Sequence, residues 1–142
     1  MKEKILLVDD EEDFVEALAA RMRNRNMEVV TTTSAIEALA RQDVDSYDAV
    51  ILDLQMPGMD GLEALRRFKE LNPKLQVILL TGKATVEKGV TAMKLGALDL
   101  LEKPTDIETL TQKIKDASAR KMVLVTEENE NSIKEIIGSK AW

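Results

Sequence analysis

The 142-residue chain contains neither cysteine nor histidine. Without cysteine it can form no disulfide bond and no thiolate zinc site, and thiol catalysis is excluded. Without histidine it lacks the most frequent general base and the commonest side-chain ligand of transition metals. Any bound metal must therefore be held by oxygen atoms, which favours Mg²⁺, Mn²⁺ or Ca²⁺.

Aromatic residues, basic clusters and long apolar runs are also scarce. Aromatic residues make up 3% of the chain against 44% hydrophobic residues, so the core must be aliphatic. The net charge is −6 and no basic run occurs, which argues against nucleic acid as a direct partner. The N-terminus has no signal-peptide pattern, and no apolar run approaches the ~20 residues that span a membrane. We expect a cytoplasmic protein without a membrane segment.

Strand and helix patterns alternate five times along the chain. Apolar runs predict strands at residues 4–9, 27–32, 48–53, 75–81 and 98–102. Apolar residues at helical spacing predict the intervening helices, and the helix at residues 84–95 carries Val86, Val90 and Met93 at this spacing. Right-handed crossovers favour an α/β fold with a doubly wound, five-stranded parallel sheet in the flavodoxin-like order 2-1-3-4-5, with helices on both faces. We assign residues 1–119 to this domain.

The pattern changes in the C-terminal extension, residues 120–142. A short apolar run and an acidic stretch come first, and Ser132 with Glu135 then predicts a short helix that ends at Gly138. We expect no output domain here. We expect the extension to pack on the face of the fourth and fifth helices, as part of an output surface, as a dimer element or as a cover for apolar surface. Trp142, the only tryptophan, is the last residue.

Side chains that could take part in catalysis or metal binding lie at the ends of four of the five predicted strands. Asp9 and Asp10 follow the first, Asp53 ends the third, Thr81 ends the fourth, and Lys103 follows the fifth. In the order 2-1-3-4-5 the first and third strands are neighbours, so Asp10 and Asp53 would repel each other. A divalent cation removes that repulsion, and Mg²⁺ prefers one or two carboxylates together with waters and a phosphate oxygen.

Such a site can transfer a phosphoryl group. Asp53 could attack phosphorus to form an acyl phosphate, while the metal, Lys103 and Thr81 share the charge on the transferring oxygens. Each residue alone has a plainer explanation: residues 9–13 as an acidic helix start, Asp53 and Thr81 as turn residues, and Asp60 as a helix cap. Their joint occurrence at the ends of the appropriate strands favours the functional interpretation.

Four segments resemble the signature of the receiver domain of two-component response regulators, in particular the single-domain, chemotaxis-receiver-like type. They are Val8-Asp9-Asp10, residues 53–61, Leu80-Thr81-Gly82 and Lys103-Pro104, and the resemblance covers roughly residues 3–118. It implies a phosphorylation-activated signalling module in which Asp53 accepts a phosphoryl group from a phosphohistidine of a sensor histidine kinase. It also implies a phosphoacceptor regulator, with self-catalysed transfer and slow autodephosphorylation, in place of an enzyme with turnover.

The resemblance further implies a metal site for Mg²⁺, with Mn²⁺ as the alternative. Asp10, Asp53 and the backbone carbonyl of Gln55 would bind the ion, and Asp9 would bond to its waters. Thr81 and Lys103 would contact the phosphoryl oxygens. Two further expectations follow: a cis peptide bond between Lys103 and Pro104, and an influence of Gln55 and Lys83 on the lifetime of the acyl phosphate.

One position departs from the family pattern. The family usually has Tyr or Phe three residues before the lysine, where this chain has Leu100. Output is therefore expected to depend on backbone shifts of the fourth helix and its flanking loops. The implied partners are a sensor histidine kinase or phosphotransfer protein and a downstream protein target, with a homodimer as a further option. The module would serve as a diffusible signal, a phosphorelay carrier or a phosphate sink.

Three alternatives compete with this interpretation. A haloacid-dehalogenase-like phosphohydrolase needs a second carboxylate two residues after the nucleophile, where this chain has Gln55. A flavodoxin-like FMN carrier needs a phosphate loop rich in Ser, Thr and Gly after the first strand, where the acidic residues 9–13 would repel phosphate. A degenerate receiver would take no phosphate, but no residue needed for phosphorylation is missing.

Overall fold

Five aliphatic runs form the strands of one sheet in the computed structural model, which describes residues 2–140. The strands are β1 (Lys4–Val8), β2 (Glu28–Thr32), β3 (Ala49–Asp53), β4 (Val77–Thr81) and β5 (Asp99–Glu102). Neighbouring strands are parallel and the spatial order is β2-β1-β3-β4-β5, which confirms the predicted topology. Helices cover both faces of the central strands, which is why those strands are continuously apolar.

Side-chain caps begin several of the helices. The helices are α1 (Glu12–Asn24), α2 (Ala35–Leu39), α3 (Gly61–Leu71), α4 (Val86–Lys94) and α5 (Ile107–Lys140). Ser34, Asp60 and Thr85 each accept a hydrogen bond from a backbone N–H in the first turn of α2, α3 and α4. Asp60 therefore has the structural role that its position suggested. A 3₁₀ turn at Val44–Ser46, which was not predicted, leads into β3.

Alternate residues of each central strand point to opposite faces of the sheet and enter two separate cores. On one face, Leu6 and Leu52 belong to a core cluster with residues of α2, α3 and α4. On the other face, Leu7 and Ile51 belong to a cluster with residues of α1 and α5. The two cores hold the central strands β1, β3 and β4 in place, and the acidic residues discussed below lie at the ends of β1 and β3.

Helix α4 turns its apolar stripe away from the sheet. Val86 is 85% exposed, Val90 49% and Met93 53%, whereas the buried residue of α4 is Ala92. The spacing of apolar residues identifies a stripe on a helix but does not say which side meets the sheet. The small side chain of Ala92 lies against the core, and partly buried Leu95 and Leu100 pack around the same cluster.

The C-terminal extension is not a separate short helix, as we predicted, but the continuation of α5. The chain contains no Gly or Pro between residues 105 and 137, so nothing interrupts the helical hydrogen bonds, and Ser132 lies inside the helix.

Among the helices of the described residues, none combines the length and the apolar content that crossing a bilayer requires.

Contacts of the extension lie at the edge of the sheet where the strands begin. Lys121 donates hydrogen bonds to the backbone carbonyls of Asp45 (3.0 Å) and Tyr47 (2.9 Å), and Glu128 forms an ion pair with Lys74. The expected packing on the face of the fourth and fifth helices is therefore wrong, since these partners precede β3 and β4. Trp142 lies outside the described residues.

Candidate functional site

Three carboxylates meet where β1 and β3 end. Val8 pairs with Leu52 in the register of these strands, which brings Asp9 and Asp10 beside Asp53 at the carboxyl edge. One carboxylate oxygen of each lies within 4.8 Å of the others. Asp9 and Asp53 are buried. The donor set consists of carboxylate oxygens alone, which fits Mg²⁺ or Mn²⁺.

The ammonium group of Lys103 lies inside this acidic cluster. Its Nζ donates to Asp9 Oδ2 at 2.7 Å and to Glu11 Oε1 at 3.3 Å, and it lies 3.6 Å from Asp53 Oδ2. The backbone N–H of Lys103 donates to the carbonyl of Thr81 at 2.7 Å, which joins the ends of β4 and β5. The Lys103–Pro104 peptide bond is cis, as the family resemblance implied. Sequence reasoning placed Lys103 at this edge but did not foresee its partners.

The pKa of Asp53 is raised to about 6, chiefly by burial and also by the charges of Asp9 and Asp10, while the N–H of Gln55 (3.2 Å from Oδ1) and the charge of Lys103 act to lower it. Burial alone would lower the pKa of Lys103, but its hydrogen bond to Asp9 and the charges of Asp9 and Asp53 raise it. Asp53 is therefore mainly ionised at neutral pH, although its environment disfavours the charge.

The hydroxyl group of Thr81 is engaged by the loop that follows β4. Thr81 is fully buried, and its Oγ1 donates to the carbonyl of Lys83 and accepts from the N–H of Lys83, both at 3.3 Å. Its strand position brings it to the same edge as Asp53, because Leu80 is the partner of Asp53 across β3 and β4. The single hydroxyl proton of Thr81 is therefore engaged by the carbonyl of Lys83.

A second contact fixes the same loop from β5. The carboxylate of Glu102, the residue before Lys103, accepts a hydrogen bond from the backbone N–H of Ala84 at 3.1 Å. Leu100, two residues earlier, lies beneath α4, and a methyl group placed at Gly89 would be 3.9 Å from its Cδ2. Sequence reasoning missed Glu102, since an acidic residue at the end of a strand carries no signal of its own.

The loop after Asp53 closes tightly over the strand end. The N–H of Gly61 donates to the carbonyl of Leu54 at 3.1 Å, and a Cβ at Gly61 would approach the Cα of Leu54 to 2.5 Å. Glycine is therefore required at this position. Gln55 and Lys83 are exposed beside Asp53 and Thr81, so both reach the solvent side of the site.

These features define a class of protein, and comparison with known families agrees. The family model described as "Response regulator receiver domain" matches residues 5–115. The chain belongs to this family, whose members are phosphorylation-activated signalling modules of two-component systems. Receiver domains act as phosphoacceptor regulators and bind Mg²⁺ in an acidic pocket. Membership of the receiver-domain family excludes the two alternative classes, the haloacid-dehalogenase-like phosphohydrolase and the flavodoxin-like FMN carrier.

Particular relatives can be named. The transcriptional regulatory protein ZraR of Salmonella typhimurium is 36% identical over 115 residues, which cover 81% of this chain and 26% of that protein. The crystal structure of a response regulator receiver domain protein from Clostridium thermocellum is similar with a TM-score of 0.82 and 35% identity, over 86% of this chain and 98% of that one. The solution structure of the beryllofluoride-activated NtrC4 receiver domain dimer has a TM-score of 0.77 and 32% identity, over 83% and 98%.

The chain spans about a quarter of the length of ZraR and about half the length of the transcriptional regulatory protein YkoG of Bacillus subtilis. The similarity therefore concerns the receiver domain.

Proposed function

We propose that Asp53 is the phosphoacceptor and that a sensor histidine kinase or a phosphotransfer protein supplies the phosphoryl group. The observation that carries the proposal is the cluster of Asp9, Asp10 and Asp53 around the ammonium group of Lys103. Asp53 is the carboxylate of the cluster that ends β3, is buried and has an elevated pKa. These properties suit a nucleophile that is held in a fixed position.

Asp53 attacks phosphorus with a carboxylate oxygen, and the bond between phosphorus and its donor breaks. Lys103 supplies a positive charge beside Asp53 and moves from Asp9 towards the phosphoryl oxygens. Thr81 exchanges its bonds to Lys83 for a bond to the same group. When bound by Asp10, Asp53 and the carbonyl of Gln55, with Asp9 on its waters, Mg²⁺ (or Mn²⁺) would neutralise charge on the transferring oxygens. Gln55 and Lys83 lie where an attacking water would approach, and they tune the lifetime of the acyl phosphate.

The phosphorylated domain presents a changed surface to a downstream protein. Residues 1–119 form the receiver unit and residues 120–142 the extension. A role in transcription, as named for ZraR, is not part of this proposal, because the chain has a net charge of −6 and matches only 26% of that protein. A cytoplasmic location and a homodimer are parts of the proposal, and the dimer is supported by the NtrC4 receiver, which was solved as a dimer.

Intact-mass measurement after incubation with acetyl phosphate and Mg²⁺ tests the proposal. The wild type should gain one phosphoryl group and Asp53→Ala none. Asp60→Asn is the matched control, because Asp60 lies in the same loop and caps α3, and Asn can also cap. The control should gain one group as the wild type does. A phosphoryl group on Asp53→Ala, or none on the wild type, would contradict the assignment.

A further inference from the structure

The aromatic ring of Phe14 lies against the ammonium group of Lys103. Phe14 is the third residue of α1, and Lys103 Nζ is 4.4 Å from the centroid of its ring. A cation within about 6 Å of a ring face is attracted by the quadrupole of the ring. The contact joins α1 to the residue that follows β5, so it spans two elements of the site.

Three carboxylates also lie around this ammonium group. Asp9 and Glu11 accept its hydrogen bonds and Asp53 lies 3.6 Å away, so the acidic groups and the ring of Phe14 enclose it. Only 12% of the Lys103 side chain is exposed. The ring attracts the charge without accepting a directed hydrogen bond, so it leaves the N–H groups of Lys103 available to an anion.

We propose that Phe14 is a positioning residue for phosphoryl transfer: its ring holds the ammonium group of Lys103 beside Asp53 and excludes water from its outer side. The inference rests on the proposed function, in which Lys103 contacts the phosphoryl oxygens. With Phe14 in place, Lys103 moves from Asp9 to the phosphoryl group over a short distance and remains in contact with the ring.

A purely structural role would make different demands on this position. The buried contacts of α1 are made by Val15, Leu18, Ala19 and Met22, and Phe14 is only partly buried at the border of that core. A leucine at position 14 preserves an apolar side chain there and removes the quadrupole. Tryptophan preserves and strengthens the quadrupole, because it is the best cation–π partner.

Rates of phosphorylation by acetyl phosphate, at fixed Mg²⁺, provide the first test. This small donor has no protein surface, so contacts between Phe14 and a protein donor do not contribute. Phe14→Leu should be slower than the wild type by about 3–10-fold, and Phe14→Trp should at least match it. Met22→Leu, a volume-conserving change in the α1 core, should leave the rate unchanged. A wild-type rate in Phe14→Leu, or equal losses in the leucine and tryptophan variants, would overturn the proposal.

A spectroscopic measurement on the unphosphorylated protein is independent of the transfer reaction. Ring current from Phe14 should shift the ε-methylene protons of Lys103 upfield in NMR spectra of the wild type, and Phe14→Leu should lose this shift. Absence of the shift in the wild type would overturn the proposal even if Phe14→Leu failed to fold. A normal shift in a wild type that takes no phosphoryl group would contradict the proposed function and not the contact.

Discussion

The charge on Asp53 lowers the stability of the folded chain. Its pKa is raised to about 6, first by burial and then by Asp9 and Asp10, whereas an unfolded aspartate titrates near 4. Between about pH 4 and pH 6 the folded state retains a proton that the unfolded state has released. The free energy of unfolding therefore falls as the pH rises through this window. Above about pH 6 the full destabilisation by the charged Asp53 is present.

Replacing this carboxylate should stabilise the protein at neutral pH. We expect Asp53→Asn, without Mg²⁺, to increase the free energy of unfolding at pH 7.5 by about 1–2 kcal/mol, because the amide is neutral beside Asp9 and Asp10. At pH 4 the difference should shrink, since wild-type Asp53 is then protonated. Urea denaturation at the two pH values measures the effect. Lower stability of the variant at pH 7.5 would show that burial and repulsion do not dominate at this residue.

At the residue scale, the convergence of the carboxylates was predictable and the individual contacts were not. Asp9, Asp10 and Asp53 come together because strand order and strand ends follow from the pattern of apolar runs. The bonds from Lys103 to Asp9 and Glu11, and its contact with Phe14, depend on side-chain rotamers and on the exact approach of α1 to β5. Spacing along the chain does not encode these.

At the scale of the elements, the segment from β4 to α4 is held by few interactions. Glu102 bonds to the N–H of Ala84 and Thr81 to the backbone of Lys83, while α4 buries little beyond Ala92. Elements with few buried contacts open at low free energy. These polar contacts link the ends of β4 and β5 to the loop before α4, and Lys88 of α4 donates to the carbonyl of Lys83 at 3.2 Å.

Removing one of these links should loosen the loop. We expect Glu102→Ala to accelerate hydrogen exchange of the Ala84 amide about fivefold, because a typical intramolecular hydrogen bond stabilises by about 1 kcal/mol. Glu102→Gln, which keeps an acceptor oxygen, is the matched control and should exchange nearly as the wild type does. Exchange resolved by residue in NMR measures this. Equal exchange rates in all three proteins would mean that the bond does not restrain the loop.

The elements themselves show what an apolar pattern can and cannot specify. Continuous apolar runs located β1, β3 and β4, because strands that are buried on both faces of a sheet consist almost entirely of apolar residues. The stripe of Val86, Val90 and Met93 marked a helix but not its buried side. The cap pattern at Ser132 was misleading, because a capping residue without a preceding helix breaker does not end the helix that contains it.

At the scale of the whole molecule, one helix extends from the site to the opposite edge and past it. Helix α5 contains 34 residues and begins shortly after the Lys103–Pro104 bond. Lys121 fastens it to the carbonyls of Asp45 and Tyr47, and the apolar residues beyond, among them Ile133 and Ile137, are exposed.

A proline at residue 131 distinguishes one continuous helix from two. Asn131→Pro should remove much of the helix content of the extension, because proline inside a helix costs about 3 kcal/mol, and should leave the melting temperature of the domain unchanged. If a separate helix began at Ser132, a proline just before it would be tolerated. Far-UV circular dichroism measures helix content, and Asn131→Ala serves as the control. Unchanged helix content in the proline variant would contradict the continuous helix.

The anchor at Lys121 lies between the part of α5 that covers the sheet and the part that projects from it. Residues 107–121 and 121–137 are each about 20–25 Å long at the usual rise per residue. Leu110, Ile114 and Ala117 bury the first part in the core, and the ion pair between Glu128 and Lys74 holds the second part near the start of β4. Because the helix is continuous, its buried part sets the direction in which the exposed part leaves the domain.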